Sequence, residues 1–323
     1  MGAKLDQTLA VLNGLVGDYL SRTDNALATE MSCWLGGRAL ALEPGSLARA
    51  YPQASSRVVV LLHGVMCTER VWTLEDGSDY GSLLARDLGF TPVYVRYNSG
   101  RAIADNGAQL ASLLDGLTRA WPVPIEQLLP LGYSMGGLVL RSACHFAGLH
   151  RHAWLGLVKR AIYIGTPHLG APAERAGRTV AKILRAIDDP YTRLISDIGD
   201  LRSAGVKDLG DAVLAHAERG DDTHMAPDVP EALRDVRHPI PLLSTIRHYL
   251  IAGSVSADPR LALLFGDAIV PIASATSGAL ARVASELIPK ERVAVLPGLS
   301  HLALPRHASV YAQIKRFYEE DAA

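Results

Sequence analysis

The chain has 323 residues, 49% of them hydrophobic, and a formal net charge of -1. That length holds one large α/β domain with an insertion, and the balanced charge supplies no basic field for a phosphate backbone, so no nucleic-acid partner is expected. Cys33, Cys67 and Cys144 lie far apart with no Cys-x-x-Cys pair, which argues against a disulfide framework or a zinc site; they read as small buried hydrophobes, with a reactive thiol as the alternative for Cys67.

The first residues, Met1-Gly2-Ala3-Lys4-Leu5-Asp6, show no charged stretch followed by an apolar one, and no run is long enough to span a bilayer. A soluble, cytoplasmic protein is expected. Leu5, Leu9, Leu12, Val16 and Leu20 recur at spacings of three and four and predict an amphipathic helix. Its polar face carries Asp6, Asp18 and few basic groups, which favours packing on the core over peripheral membrane contact. A second helical patch is predicted over residues 26–35. The Glu43-Pro44-Gly45-Ser46 sequence reads as the turn that closes an N-terminal helical arm, residues 1–50.

From there on, residues 51–323, short apolar runs alternate with helix-period segments. Strands are predicted at 58–62, 93–97, 128–131, 161–164, 249–252 and 293–296, and helices at 81–88, 103–120, 137–149, 272–286 and 308–318. This alternation predicts an α/β fold with a mostly parallel central sheet covered by helices on both faces. The interval from about 171 to 241 is too long for a simple crossover. Ala176, Val180, Ile183, Leu184 and Ile187 have helical periodicity and a polar, proline-broken tract follows, so a helical cap insertion over the strand C-terminal ends is expected.

Gly132-Tyr133-Ser134-Met135-Gly136 ends the run at 128–131 and opens the helix predicted from 137. A strand-to-helix elbow strains the serine and leaves room only for small neighbours, which Gly132 and Gly136 supply, so Ser134 is a candidate nucleophile. At the end of the first strong strand, His63-Gly64-Val65 provides a turn whose N–H groups face a cavity above the sheet. The backbone N–H of Val65 is the first candidate oxyanion donor and that of Met135, at a helix start, the second. His63 suits shaping of this turn better than proton transfer.

An acid and then a histidine must follow at later loops. Asp267, in Gly266-Asp267-Ala268-Ile269-Val270-Pro271, fits the acid by order and flanking pattern, with Asp258 as its rival. His301, in a glycine-containing loop past the last strand, fits the base, with His307 six residues on as the alternative.

His63-Gly64, the Gly132–Gly137 elbow, Gly165-Thr166-Pro167-His168-Leu169-Gly170, Gly266-Asp267-x-x-Val270-Pro271 and His301 together resemble the α/β-hydrolase superfamily, and most closely its lipase-like branch. The Gly-Thr-Pro-His-x-Gly segment is similar to one in bacterial triacylglycerol lipases and in inositol-deacylase-like hydrolases. The resemblance covers about residues 57–318 and implies a serine hydrolase of carboxylic esters with apolar acyl chains. It implies Ser134 as nucleophile, Asp267 as acid and His301 as base, with Val65 and Met135 forming the oxyanion hole. His168 then shapes the floor beside the nucleophile. A small-molecule ester or lipid substrate is the expected partner; no cofactor is implied, and no calcium ligand set is assigned. The same residues would serve a thioesterase, amidase or acyltransferase, or persist in a non-catalytic binding protein. Pro130 departs from the pattern by removing a ladder donor from the strand that leads to the elbow.

Overall fold

The computed structural model describes residues 2–168, 203–211, 240, 242–256, 267, 270, 272–276 and 288–320. Eight strands form one sheet in the order β2-β1-β4-β3-β5-β6-β7-β8. They are β1 (Ser32–Leu35), β2 (Arg38–Leu40), β3 (Arg57–Leu62), β4 (Thr91–Arg96), β5 (Gln127–Tyr133), β6 (Arg160–Ile164), β7 (Arg247–Ser254) and β8 (Val293–Pro297). From β4 through β8 every pairing is parallel, whereas β1 is antiparallel to both β2 and β4.

The near-continuous apolar strands follow from burial on both faces. Side chains alternate across the sheet, so Val58, Val60 and Leu62 enter one core while Val59 and Leu61 enter the other. The first core is covered by α1 (Ala3–Arg22), α4 (Ile103–Ala120) and α5 (Met135–His150), through Val11, Leu110, Leu114, Leu138 and Val139. The second is covered by α3 (Tyr80–Leu88) and by the final helix, α8 (Ala308–Glu320), through Tyr80, Leu84, Ile314 and Phe317. Between these lie α2 (Pro44–Ala50), α6 (Ala204–Asp211) and α7 (Ile272–Ala275). Among the described residues, no helix is long and apolar enough to cross a membrane.

Three expectations for the first fifty residues are corrected. No helix covers 26–35: Ser32–Leu35 is a strand, with Cys33 fully buried opposite Val95. Gly36 and Gly37 both have positive φ and join it to β2 as a two-residue hairpin turn, the conformation that glycine pairs favour. Pro44 begins a helix and does not close a turn, its fixed φ suiting the first helical position. Helix α1 forms as expected and Leu20 of its predicted stripe is buried, but the most buried apolar positions are Val11 and Leu15, outside that stripe, while Leu5 is 47% exposed. The docked face is selected by Gly14 and Gly17, which let the helix approach closely, and by a kink at Val16.

Pro130 does not interrupt its strand. The β3–β5 register runs unbroken through Val60↔Pro130, and the β6 pairing begins only at Leu131. The Ser134 N–H points to β6, donating to Ile164 O, and alternation by two puts the Pro130 nitrogen on that same side, below the start of that ladder. The predicted stripe at 176–187, the 220–239 tract, Asp258 and 277–286 lie outside the described residues.

Candidate active site

Ser134 sits between β5 and α5 with φ 53° and ψ -122°, a conformation that L-residues avoid and that persists only where surroundings over-determine it. Here they do. A Cβ on Gly136 would lie 2.5 Å from His63 O and 2.6 Å from Leu62 O, and one on Gly132 would lie 2.5 Å from Gly137 Cα. The glycines therefore let α5 start directly against the ends of β3 and β5. Ser134 is 4% exposed, and its position at the α5 N-terminus places it where the helix dipole favours negative charge.

His301 opens a 3-10 turn (His301–Arg306) just after β8. Its Nε2 lies 2.9 Å from Ser134 Oγ and its Nδ1 lies 2.7 Å from Asp267 Oδ2. Both His301 and Asp267 are 1% exposed. With Nδ1 protonated, that N–H donates to the carboxylate and Nε2 is free to accept the serine proton. The other carboxylate oxygen, Oδ1, accepts Val270 N–H at 2.7 Å, and His301 N donates to Asp267 O at 3.0 Å, so the acid and the imidazole are tied through both backbone and side chain. His307, by contrast, is exposed, with its Nδ1 against Ser309 at the start of α8.

The turn after β3 closes over the elbow. A Cβ on Gly64 would lie 3.2 Å from Ser134 Cβ, and that crowding explains the glycine. His63 is fully buried, stacked on Tyr97 with ring centroids 4.4 Å apart. Its Nε2 accepts Tyr97 N–H at 3.3 Å and its Nδ1 bonds Gly64 O at 2.8 Å, while Cys67 N also donates to Gly64 O. Burial pushes the imidazole down to about 4, despite the opposing effect of the Gly64 bond, so it is neutral at pH 7. The Gly64 carbonyl and the Val65 N–H are opposite ends of one planar trans peptide; holding the carbonyl aims the N–H away from His63. Val65 and Met135 are both buried, and neither N–H donates to another described residue.

Three solved structures illustrate what this architecture is similar to. The mature form of a Bacillus licheniformis lipase matches with a TM-score of 0.50 and 18% identity, over 81% of this chain and 91% of that chain. A thermophilic esterase from Thermogutta terrifontis matches at TM-score 0.43 and 18% identity, over 83% of this chain and 91% of that one. A type II thioesterase of the yersiniabactin biosynthetic pathway matches at 0.48 and 17%, over 83% and 95%. No protein-family model matches the sequence, and no curated protein does.

The chain has the α/β-hydrolase fold.

Within this fold, His168 packs against Arg141 of α5. It is buried, edge-on to Tyr163, and Arg141, nearly two turns into α5, donates to its carbonyl oxygen at 3.2 Å and to Ile240 O at 2.6 Å. Burial, then the nearby Arg141 and His248, hold its imidazole well below the ordinary range. Of the expected cap, α6 is described. Gly205 N donates to Gly100 O at 2.9 Å, and a Cβ on Gly205 would lie 3.0 Å from Met135 Cε; this places α6 beside the elbow. Cys67 is half-buried, less enclosed than Cys33 and Cys144, and all three thiols are free.

Some residues around His301 escaped the sequence reading. Tyr133 donates through its hydroxyl to His301 O at 3.1 Å, with its ring 5.2 Å from the imidazole. Gly165, at φ 58°, lets the chain after β6 pass under the ring, where a Cβ would lie 3.0 Å from His301 Cε1. Gly253 does the same below Asp267, 3.2 Å from its Cβ. The glycines at strand ends were the available signal; the Tyr133 contact, 168 positions long, had none.

Proposed function

We propose that this protein is a serine hydrolase that cleaves carboxylic esters through an acyl-enzyme, with Ser134 as nucleophile, His301 as general base and acid, and Asp267 as the carboxylate that orients the imidazole. The observation that carries this reading is the single hydrogen-bonded line Ser134 Oγ, His301 Nε2, His301 Nδ1, Asp267 Oδ2, at 2.9 and 2.7 Å, built on a strained elbow. Oγ attacks the ester carbonyl as Nε2 takes its proton. The tetrahedral oxyanion accepts hydrogen bonds from the Val65 and Met135 N–H groups, two buried donors with no other partner among the described residues. Nε2 returns the proton to the leaving alkoxide. Water, deprotonated by the same imidazole, then releases the acid, while the Asp267 carboxylate stabilises the imidazolium.

The substrate in this reading is a small ester with an apolar acyl chain. Support comes from the apolar periodicity at Ala176, Val180, Ile183, Leu184 and Ile187 in the insertion and from the seating of α6 beside Met135. A fluorophosphonate should label the wild type on Ser134 and leave Ser134→Ala unlabelled, with kcat lowered by about 10⁴ or more in that variant. A wild type that takes no label would refute the reading. A p-nitrophenyl ester series from acetate to decanoate tests the acyl chain, with turnover of acetate alone counting against an apolar pocket. Parallel thioester and amide substrates separate the ester reading from the other acyl-transfer chemistries.

A further inference from the structure

Met66, next after Val65, is the one residue in the β3–α3 connection that combines full burial with a left-handed backbone, at φ 59°. A non-glycine residue keeps this strained conformation only when its surroundings hold it. Both polar atoms of its backbone are gripped by side chains from outside the loop. Its N–H donates to Ser99 Oγ at 3.0 Å, and its carbonyl accepts from Gln7 Nε2 at 2.9 Å.

Each gripping residue is itself anchored. Gln7 lies in α1, whose Gly14 sits against the Met66 side chain so closely that a Cβ there would lie 3.3 Å from Met66 Cβ. Ser99 is 2% exposed and lies between Asn98 and Gly100. Asn98 Nδ2 donates to Gly17 O at 2.9 Å, Asn98 Oδ1 accepts Gly100 N–H at 3.0 Å, and Asn106 Nδ2 donates to Asn98 O at 2.9 Å. Three residues beyond Met66, Glu69 forms a paired contact with Arg96 at 2.6 and 2.7 Å, and Arg96 also lies 3.5 Å from Asp6 of α1. Helix α1 thus meets both the turn that carries Val65 and the loop that holds that turn.

We propose that Gln7 and Ser99 are positioning residues of the oxyanion hole: together they clamp Met66 in its left-handed conformation and thereby aim the Val65 N–H at the carbonyl oxygen of the substrate. The Met66 N–H belongs to the peptide group that follows Val65, while His63 and Cys67 hold the peptide group that precedes it, so Val65 is fixed from both sides. Helix α1, outside the sheet, becomes part of the machinery that stabilises the transition state. This inference rests on the ester-hydrolase reading above.

The test uses the full chain with Ser99→Ala, Ser99→Thr, Gln7→Glu and Gln7→Ala. Gln7→Glu keeps the length of the side chain and lacks the amide donor; Ser99→Thr keeps the hydroxyl. Removal of an oxyanion donor outright costs about 10² to 10³ in kcat, and loosening its aim should cost about 10-fold in Ser99→Ala, in Gln7→Glu and in Gln7→Ala, with KM within about twofold. Binding of an alkyl boronic acid, which mimics the tetrahedral adduct, should weaken by the same factor as kcat/KM, and Ser99→Thr should restore both. Melting temperatures confirm that each variant is folded. Folded variants with wild-type kcat and boronate affinity overturn the clamp and leave the hydrolase reading intact, as does a loss of kcat with boronate affinity unchanged. A wild type that turns over no ester and takes no fluorophosphonate overturns the hydrolase reading, and the clamp with it.

Discussion

Replacement of Asp267 by asparagine keeps the shape of the side chain and changes one hydrogen-bonding group. Oδ1 accepts the Val270 N–H at 2.7 Å, and Oδ2 accepts from His301 Nδ1 at 2.7 Å. In the asparagine, the carbonyl oxygen must stay opposite Val270, because the reverse orientation would set the amide N–H groups against another donor. The NH2 then faces His301, so Nδ1 must accept and the imidazole proton moves to Nε2. That nitrogen would donate to Ser134 Oγ and could not take its proton. Asp267 and His301 are each 1% exposed, which leaves little room for water to repair the mismatch. A loss of about 10³ to 10⁴ in kcat is expected from the wrong tautomer, which corresponds to about 4 to 5.5 kcal/mol at 1.36 kcal/mol per decade. Initial rates on p-nitrophenyl butyrate between pH 6 and 9, alongside the melting temperature, measure it. A folded Asp267→Asn protein within tenfold of the wild-type kcat would show that Asp267 does not set the tautomer.

Gly136→Ala should both destabilise the protein and lower its activity, since the new methyl meets two backbone oxygens at 2.5 and 2.6 Å that have no rotamer to yield. Overpacking of this kind costs about 1–3 kcal/mol, to be read as a lower urea midpoint, and wild-type stability with wild-type turnover would contradict the elbow packing. The buried His63 and His248 imidazoles are both pushed down to about 4 from the ordinary 6.5, chiefly by burial. The unfolded chain therefore binds more protons than the folded one between those limits, so stability is complete above pH 6.5 and is lost as pH falls towards 4. The size is at most about 3 kcal/mol for each histidine. Urea unfolding at pH 8, 6, 5 and 4.5 should show this decline, and His248→Gln should flatten it by about 1 kcal/mol per pH unit; an unchanged slope would rule out His248 as a contributor.

The parallel strands were legible because each is a run of apolar residues buried on both faces, a pattern that survives without neighbours. The candidate site was legible for a related reason. Ser134 and His301 are each held by a turn whose glycines are written locally, as in Gly132-Tyr133-Ser134-Met135-Gly136 and Pro297-Gly298-Leu299-Ser300-His301. Residues 32–35 do not declare a strand locally, because four half-apolar residues carry too little periodicity to separate helix from strand. What makes them a strand is the antiparallel edge of β4, 60 or so positions away. Pro130 looked disruptive for a similar reason: the cost of a missing N–H depends on which neighbour it faces, and that is set by the sheet.

By itself, then, the sequence determined the alternation of strands and helices, the elbow and the order of the three polar residues, since all of these rest on contacts between near neighbours in the chain. Only the tertiary structure decided that His301 meets Ser134 across 167 positions, that Tyr133 holds the His301 backbone, and that Gln7 reaches Met66 across 59. Those hydrogen bonds join polar groups whose partners are chosen by how the sheet twists and the helices dock, and no local pattern of residues encodes that distance.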